Sequence, residues 1–158
     1  MPVSLSLSSV EVRRTVNTED YPSVLNPSLV GEYPALSKAG GGYVWDEVLE
    51  YRVWCHPSEE DVVNGEGDDY YYAFGTCSEA FECYRSEGRA EKPLALVLQR
   101  EYIDESSAGE YRHVQEERVT EWPVEFLNRP RRTASTIPDF LAPDAPENKL
   151  DILRGLAD

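Results

Sequence analysis

Four runs of β-branched and aromatic residues constrain this chain more than any other feature: Glu47–Cys55, Asp69–Phe74, Leu94–Ile103 and Arg112–Val119. Such runs suit a pleated, half-buried surface. Between the second and third runs the periodicity changes. Thr76 or Ser78 can cap a short helix, Glu79 sits in its first turn where the helix dipole favours an anion, and Ala80, Phe81 and Tyr84 fall at helical spacing. Gly88 is placed to stop that helix, and Pro93 prevents its continuation. The order strand, strand, helix, strand, strand predicts an α+β fold. Its expected form is a four-stranded antiparallel sheet with one principal helix on a face.

At 158 residues the chain is expected to form one domain with a substantial core. Its organisation reads as an N-terminal arm over 1–42, an α+β core over 43–130 and a Pro-spaced tail over 131–158. Within the arm, Val3, Leu5, Leu7, Val10 and Val12 alternate weakly and predict an edge strand. Residues 17–42, rich in Pro, Ser, Gly and Asn, predict a long ordered loop lying across a core face. Gly40-Gly41-Gly42 lacks the Lys-Ser/Thr of a phosphate-binding loop and reads as a flexible joint.

In the first strand Leu49, Tyr51, Val53 and Cys55 share one face. Glu50 and Arg52 point to the other with Val48 and Trp54, so that face is expected to be half covered. His56-Pro57 ends the strand, and the acidic Ser58–Asp68 is an exposed connection. Asn64, Glu66 and Asp68 alternate as in a calcium loop, but the closing bidentate Glu is missing. Leu94–Ile103 reads as the central strand, Asp104–Gly109 as a polar turn and Tyr111–Glu121 as the returning strand. Trp122–Leu127 predicts a helical turn with Pro at its first position. In the tail, Ile137, Phe140, Leu141, Leu150, Ile152 and Leu153 are expected to dock on a sheet face, a neighbouring subunit or a partner groove.

The net charge of −15 repels nucleic-acid phosphates and anionic membrane, so neither is an expected partner. It suits a well-solvated surface, or an acidic face for a basic partner. The odd count of three cysteines (Cys55, Cys77 and Cys83) fits a reducing cytoplasm better than a disulfide framework. Met1–Leu7 carries no basic n-region, so no signal peptide is expected, and no apolar run approaches a membrane span.

His56 and His113 are the only histidines, and any His-based mechanism must use one of them. Cys55, His56, Cys77, Cys83 and His113 are not spaced as a zinc site, and no metal is expected. Adjacent Cys55 and His56 point to opposite faces of a strand, which disfavours a nucleophile–base pair. Trp45, Trp54, Tyr70, Tyr71 and Tyr72 are candidates for an aromatic ligand pocket, or for core on one face and covered surface on the other. No catalytic constellation stands out. The expected function is protein–protein contact with a partner or with a second copy, as in a homodimer, with small-molecule binding at the aromatic residues as an alternative.

The blocks Tyr43–Cys55, Pro93–Glu101 and Thr120–Pro123 resemble a family of small bacterial proteins commonly labelled GNAT-type acetyltransferases. The similarity spans most of Gly42–Pro130. It implies an acyl-CoA-dependent N-acetyltransferase with acetyl-CoA as cofactor. Such enzymes hold the cofactor pyrophosphate on a Gln/Arg-x-x-Gly-x-Gly/Ala loop between a strand and a helix. Arg85-Ser86-Glu87-Gly88-Arg89-Ala90 matches that pattern, which would make Arg85, Gly88 and Ala90 the cofactor-binding residues. Here the segment follows the predicted helix and precedes a strand.

Overall fold

In the computed structural model of the chain, which describes residues 21–60, 65 and 67–157, the first two expected runs each form one strand, whereas Leu94–Ile103 and Arg112–Val119 are each split between two. In chain order the elements are β1 (Lys38–Ala39), β2 (Glu47–Cys55), β3 (Tyr70–Phe74), α1 (Cys77–Ser86), β4 (Leu94–Gln99), β5 (Tyr102–Ser107), β6 (Glu110–Val114), β7 (Arg118–Pro123), α2 (Thr136–Leu141) and α3 (Lys149–Leu153). The described residues also include two 3₁₀ turns, Pro27–Leu29 and Val124–Asn128. The fold is α+β. Four antiparallel strands run in the order β7-β4-β2-β3, and the two-residue β1 joins β7 in parallel at the outer edge. The alternating residues Val3 to Val12, and Asn64 and Glu66 of the calcium-loop-like stretch, lie outside the described residues.

Helix α1 starts as its sequence dictates. Thr76 is extended (φ −134°, ψ 151°) and accepts the Glu79 N–H, while its hydroxyl donates to Glu79 Oε1 at 2.9 Å. Cys77, Ala80 and Phe81 are buried against one sheet face, in a core with Val48, Tyr51, Val53, Ala95, Val97 and Trp122. A register shift between Val48 and Glu50 makes Leu49 a bulge, so Val48 joins Tyr51 rather than the opposite face.

The central strand is shorter than expected. Leu94–Ile103 breaks at Arg100–Glu101, opposite Gln115–Glu117, and the far half of the hairpin leaves the main sheet as the two-stranded β5–β6. At the break a side chain stands in for a ladder partner on the β2 side: Asp46 Oδ2 accepts the Arg100 N–H at 2.6 Å. The expected turn over Asp104–Gly109 is also tighter, because β5 runs to Ser107 and only Ala108–Gly109 turns. Val44 and Ile103 then form a second core with Ile137 and Phe140 of α2 and Leu153 of α3. Leu141 and Leu150 pack against this core, so five of the six residues named for docking join it, while Ile152 lines a cleft in the tail.

Residues 21–42 are equally integral. Val24 enters the first core, and Tyr51 donates its hydroxyl to Pro22 O at 2.5 Å. Gly40, Gly41, Gly42 and Tyr43 all have positive φ. They form a packed crossing, not a flexible joint. Gly41 O accepts both Gln99 Nε2 (3.1 Å) and Trp122 Nε1 (3.2 Å), and Gly42 O accepts the Ile103 N–H. A Cβ on Gly42 would stand 2.2 Å from Gln99 Nε2, so only glycine fits there.

Candidate functional site

The sheet face opposite α1 carries a charged centre instead of the half-solvated surface expected. Glu50 and Arg52, two residues apart on β2, are both 0% exposed. Arg52 Nε donates to Glu50 Oε2 at 2.7 Å, and Nη1 donates to Glu121 Oε2 at 3.0 Å. The guanidinium also donates to Pro34 O (2.7 Å) and Ala35 O (3.1 Å), while Glu50 Oε1 accepts the Gly31 N–H at 2.8 Å. Burial pulls the Arg52 guanidinium down, but its bonds to the two carboxylates outweigh that and hold it above its ordinary value. A strand alternation with charges on one face reads as solvated; here residues 31–35 cover it, strapped down by the ions they cover.

Trp54 and Tyr71 extend this face. Their rings lie 4.8 Å apart, Trp54 Nε1 donates to Glu121 Oε2, and the Arg52 guanidinium sits 4.5 Å from the Tyr71 ring centre. Tyr70 and Tyr72 alternate to the other side of β3, where they meet edge to face at 5.8 Å and remain 43% and 42% exposed. Trp45 is in neither place. It is buried in the first core, donates to Arg129 O at 2.9 Å and lies under Arg131. The five aromatic residues therefore divide among three environments and do not line one pocket.

β3 borders the sheet, and its outer backbone groups can be assigned. His56 N–H donates to Arg89 O and Trp54 O accepts from Glu91, so Trp54 and His56 turn these groups away from β3. Cys55 then faces Tyr70 as a hydrogen-bonded pair, and alternation turns Tyr70, Tyr72 and Phe74 inward. The N–H and C=O groups of Tyr71 and Ala73 point out from the edge. Protective devices common on edge strands, such as lysine, proline, inward charges or a bulge, are absent from Tyr70–Phe74. The opposite edge is the two-residue β1, which carries Lys38 and runs into the glycines.

Arg85 is an exposed residue in the last turn of α1, its guanidinium 5.6 Å from the Phe81 ring centre. Gly88 lies in the following turn, and Ala90 bridges to Cys55. Gly88 and Ala90 follow the helix, as their order predicts, while Arg85 belongs to it. What the helix presents there is carbonyl oxygen, with Cys83 O accepting from Glu87 N–H and Ser86 Oγ.

The thiols are held protonated. Burial, with Glu125 adding to it, pushes Cys77 up to about 12, and burial likewise raises Cys55 and Cys83. His56 lies on the surface between Asp69 (Nδ1, 3.2 Å) and Glu91 (Nε2, 2.7 Å). His113 Nε2 meets Glu101 Oε1 at 2.5 Å. Among the described residues no group of His, Cys, Asp and Glu is arranged to hold a metal ion, and no helix is long and apolar enough to cross a membrane.

Glu101 leads to a cluster that sequence reasoning missed. Arg132 Nη1 lies 3.3 Å from Glu101 Oε2 and clasps Asp46, while Arg131 and Arg100 both reach Glu47. The basic run at Arg129–Arg132 in so acidic a chain was the available signal, since it needs carboxylate partners. A cleft of about 510 Å³ opens in the tail, where Phe140, Ile152 and Leu153 meet Asp139, Asp144 and Lys149. Its lysine is engaged with the Phe140 ring at 4.6 Å.

Set against protein-family models, curated proteins and solved structures, the chain matches none of them.

Proposed function

We propose that this chain acts through protein–protein contact, accepting an extended segment of another chain as an added strand on the edge of β3. The supporting observation is the outward-facing N–H and C=O of Tyr71 and Ala73 on an edge strand without Lys, Pro or a bulge. The exposed Tyr70 and Tyr72 add side chains of the type that anchor interfaces at low entropic cost. The buried Glu50–Arg52–Glu121 network gives that edge a rigid base, because Arg52 links β2 to Glu121 on β7 and packs under Tyr71. The three free thiols suit a reducing cytoplasm as the place of action.

Selection of displayed random peptides on the intact chain tests this reading, with Ala73→Pro as the counter-target. Proline at position 73 removes an outward N–H while leaving the bonds to β2 in place. The reading expects peptides that bind the parent chain and lose binding to the variant. Recovery of none, or of peptides that bind both equally, would contradict it.

A further inference from the structure

We infer that the segment docking on β3 is basic: an extended stretch of a partner protein in which Lys or Arg alternates with β-branched residues. This rests on the strand-addition reading above and specifies the partner's chemistry.

The argument is one of charge around the edge. Asp68 and Asp69 lead directly into β3 and are exposed. Helix α1, packed behind the strand, shows Glu79, Glu82 and one cation, Arg85, to solvent; burial is the main cause that raises the Tyr70 phenol, and Glu87 adds to it. Arg89 is the cation that opposes this near Tyr70. An added strand places alternate side chains on the two faces of the sheet. One set would lie beside Tyr70 and Tyr72, where ammonium or guanidinium groups find both ring faces and carboxylates. The other would lie beside Tyr71, whose ring already accepts one guanidinium, that of Arg52.

A second copy of the chain is the wrong occupant on the same grounds. It brings the same acidic approach to β3 and the same net charge of −15, so pairing two such edges sets like charge against like. A basic strand supplies what the edge lacks and is steered toward it before contact.

The test uses the full chain and two synthetic peptides of about twelve residues, one alternating Lys and Val, the other Glu and Val. Binding is measured by fluorescence anisotropy, alongside the variants Ala73→Pro and Asp68→Lys. Asp68 lies outside the strand, so its variant serves even if Ala73→Pro alters the fold, and circular dichroism checks both. The Lys–Val peptide should bind saturably, weaken about tenfold with Ala73→Pro and weaken again with Asp68→Lys. Its affinity should fall as salt rises from about 50 mM to about 500 mM, and the Glu–Val peptide should not bind. Equal binding of both peptides would overturn the inference, as would Lys–Val binding that ignores both variants. If neither peptide binds but sedimentation shows a dimer abolished by Ala73→Pro, the edge takes a second copy; the strand-addition reading would stand and this inference would fall. Absence of all edge-dependent association would remove both.

Discussion

Arg132 grips Asp46 with two nitrogens, Nε at 2.9 Å from Oδ1 and Nη2 at 2.8 Å from the same oxygen, while Asp46 Oδ2 takes the Arg100 N–H. One nearly buried carboxylate therefore joins the tail, the entry to β2 and the point where the hairpin leaves the sheet. Asp46→Ala strips the charge from Arg132 and the acceptor from Arg100 together. Breaking such a pair should cost about 3 kcal/mol in urea unfolding. It should also free the tail, so that trypsin cuts at Arg131 or Arg132 before the rest of the chain. Unchanged stability and unchanged cleavage would refute this role.

Gly41 and Gly42 share a positive φ but differ in what surrounds them. An added Cβ at Gly41 meets Arg118 Nη2 at 3.4 Å, whereas at Gly42 it meets Gln99 Nε2 at 2.2 Å. Gly41→Ala should therefore lose only the left-handed backbone penalty, about 1 kcal/mol. Gly42→Ala should lose that and more, on the order of 3 kcal/mol, by displacing Gln99 from its bonds to Gly41 O and Val44 O. Equal melting temperatures for the two variants would count against the packed crossing.

These two sites mark where sequence reasoning stops. Helix α1 was legible because its signals are local: Thr76, Glu79, Ala80 and Phe81 all act within a few turns, although the helix ends at an extended Glu87 and not through a left-handed Gly88. The four sheet strands were legible from their composition. The break at Arg100–Glu101 was not, because the apolar pattern runs on through Tyr102 and Ile103 while Asp46, which takes the Arg100 N–H there, stands far back in the chain. Glu50 and Arg52 misled for the same reason. Alternation correctly sets them on one face, but whether that face is wet depends on Gly31, Pro34 and Ala35, which carry no periodic signal. The apolar residues of the tail were visible, yet their hosts Val44 and Ile103 were hidden within other patterns.

Arg52→Met leaves Glu50 buried beside Glu121 without a counter-ion. The variant should lose roughly 3–5 kcal/mol in denaturant unfolding, and adding Glu50→Gln should restore part of it. Additive losses in the double variant would show that the two side chains do not act as a unit.

His56 should titrate above a free histidine. Its bond to Asp69 is the largest cause, opposed by desolvation and reinforced by Glu91. Because the folded-state value is raised, the stabilising contribution is fully present below the unfolded-state value and disappears as pH rises through the folded one. In an NMR titration of the ring protons, Asp69→Asn should move the His56 midpoint back toward the ordinary value. A midpoint indifferent to that change would contradict the assigned contact.

Hydrogen exchange resolved at the amides of β3 tests the account of the edge most directly. In the unbound chain Tyr71 and Ala73 should exchange rapidly while Tyr70 and Tyr72, turned toward Cys55 and Val53, exchange slowly. Adding the Lys–Val peptide should then slow Tyr71 and Ala73 selectively. If Tyr71 and Ala73 are already as slow as their neighbours without peptide, the edge is covered and the account of its function is wrong.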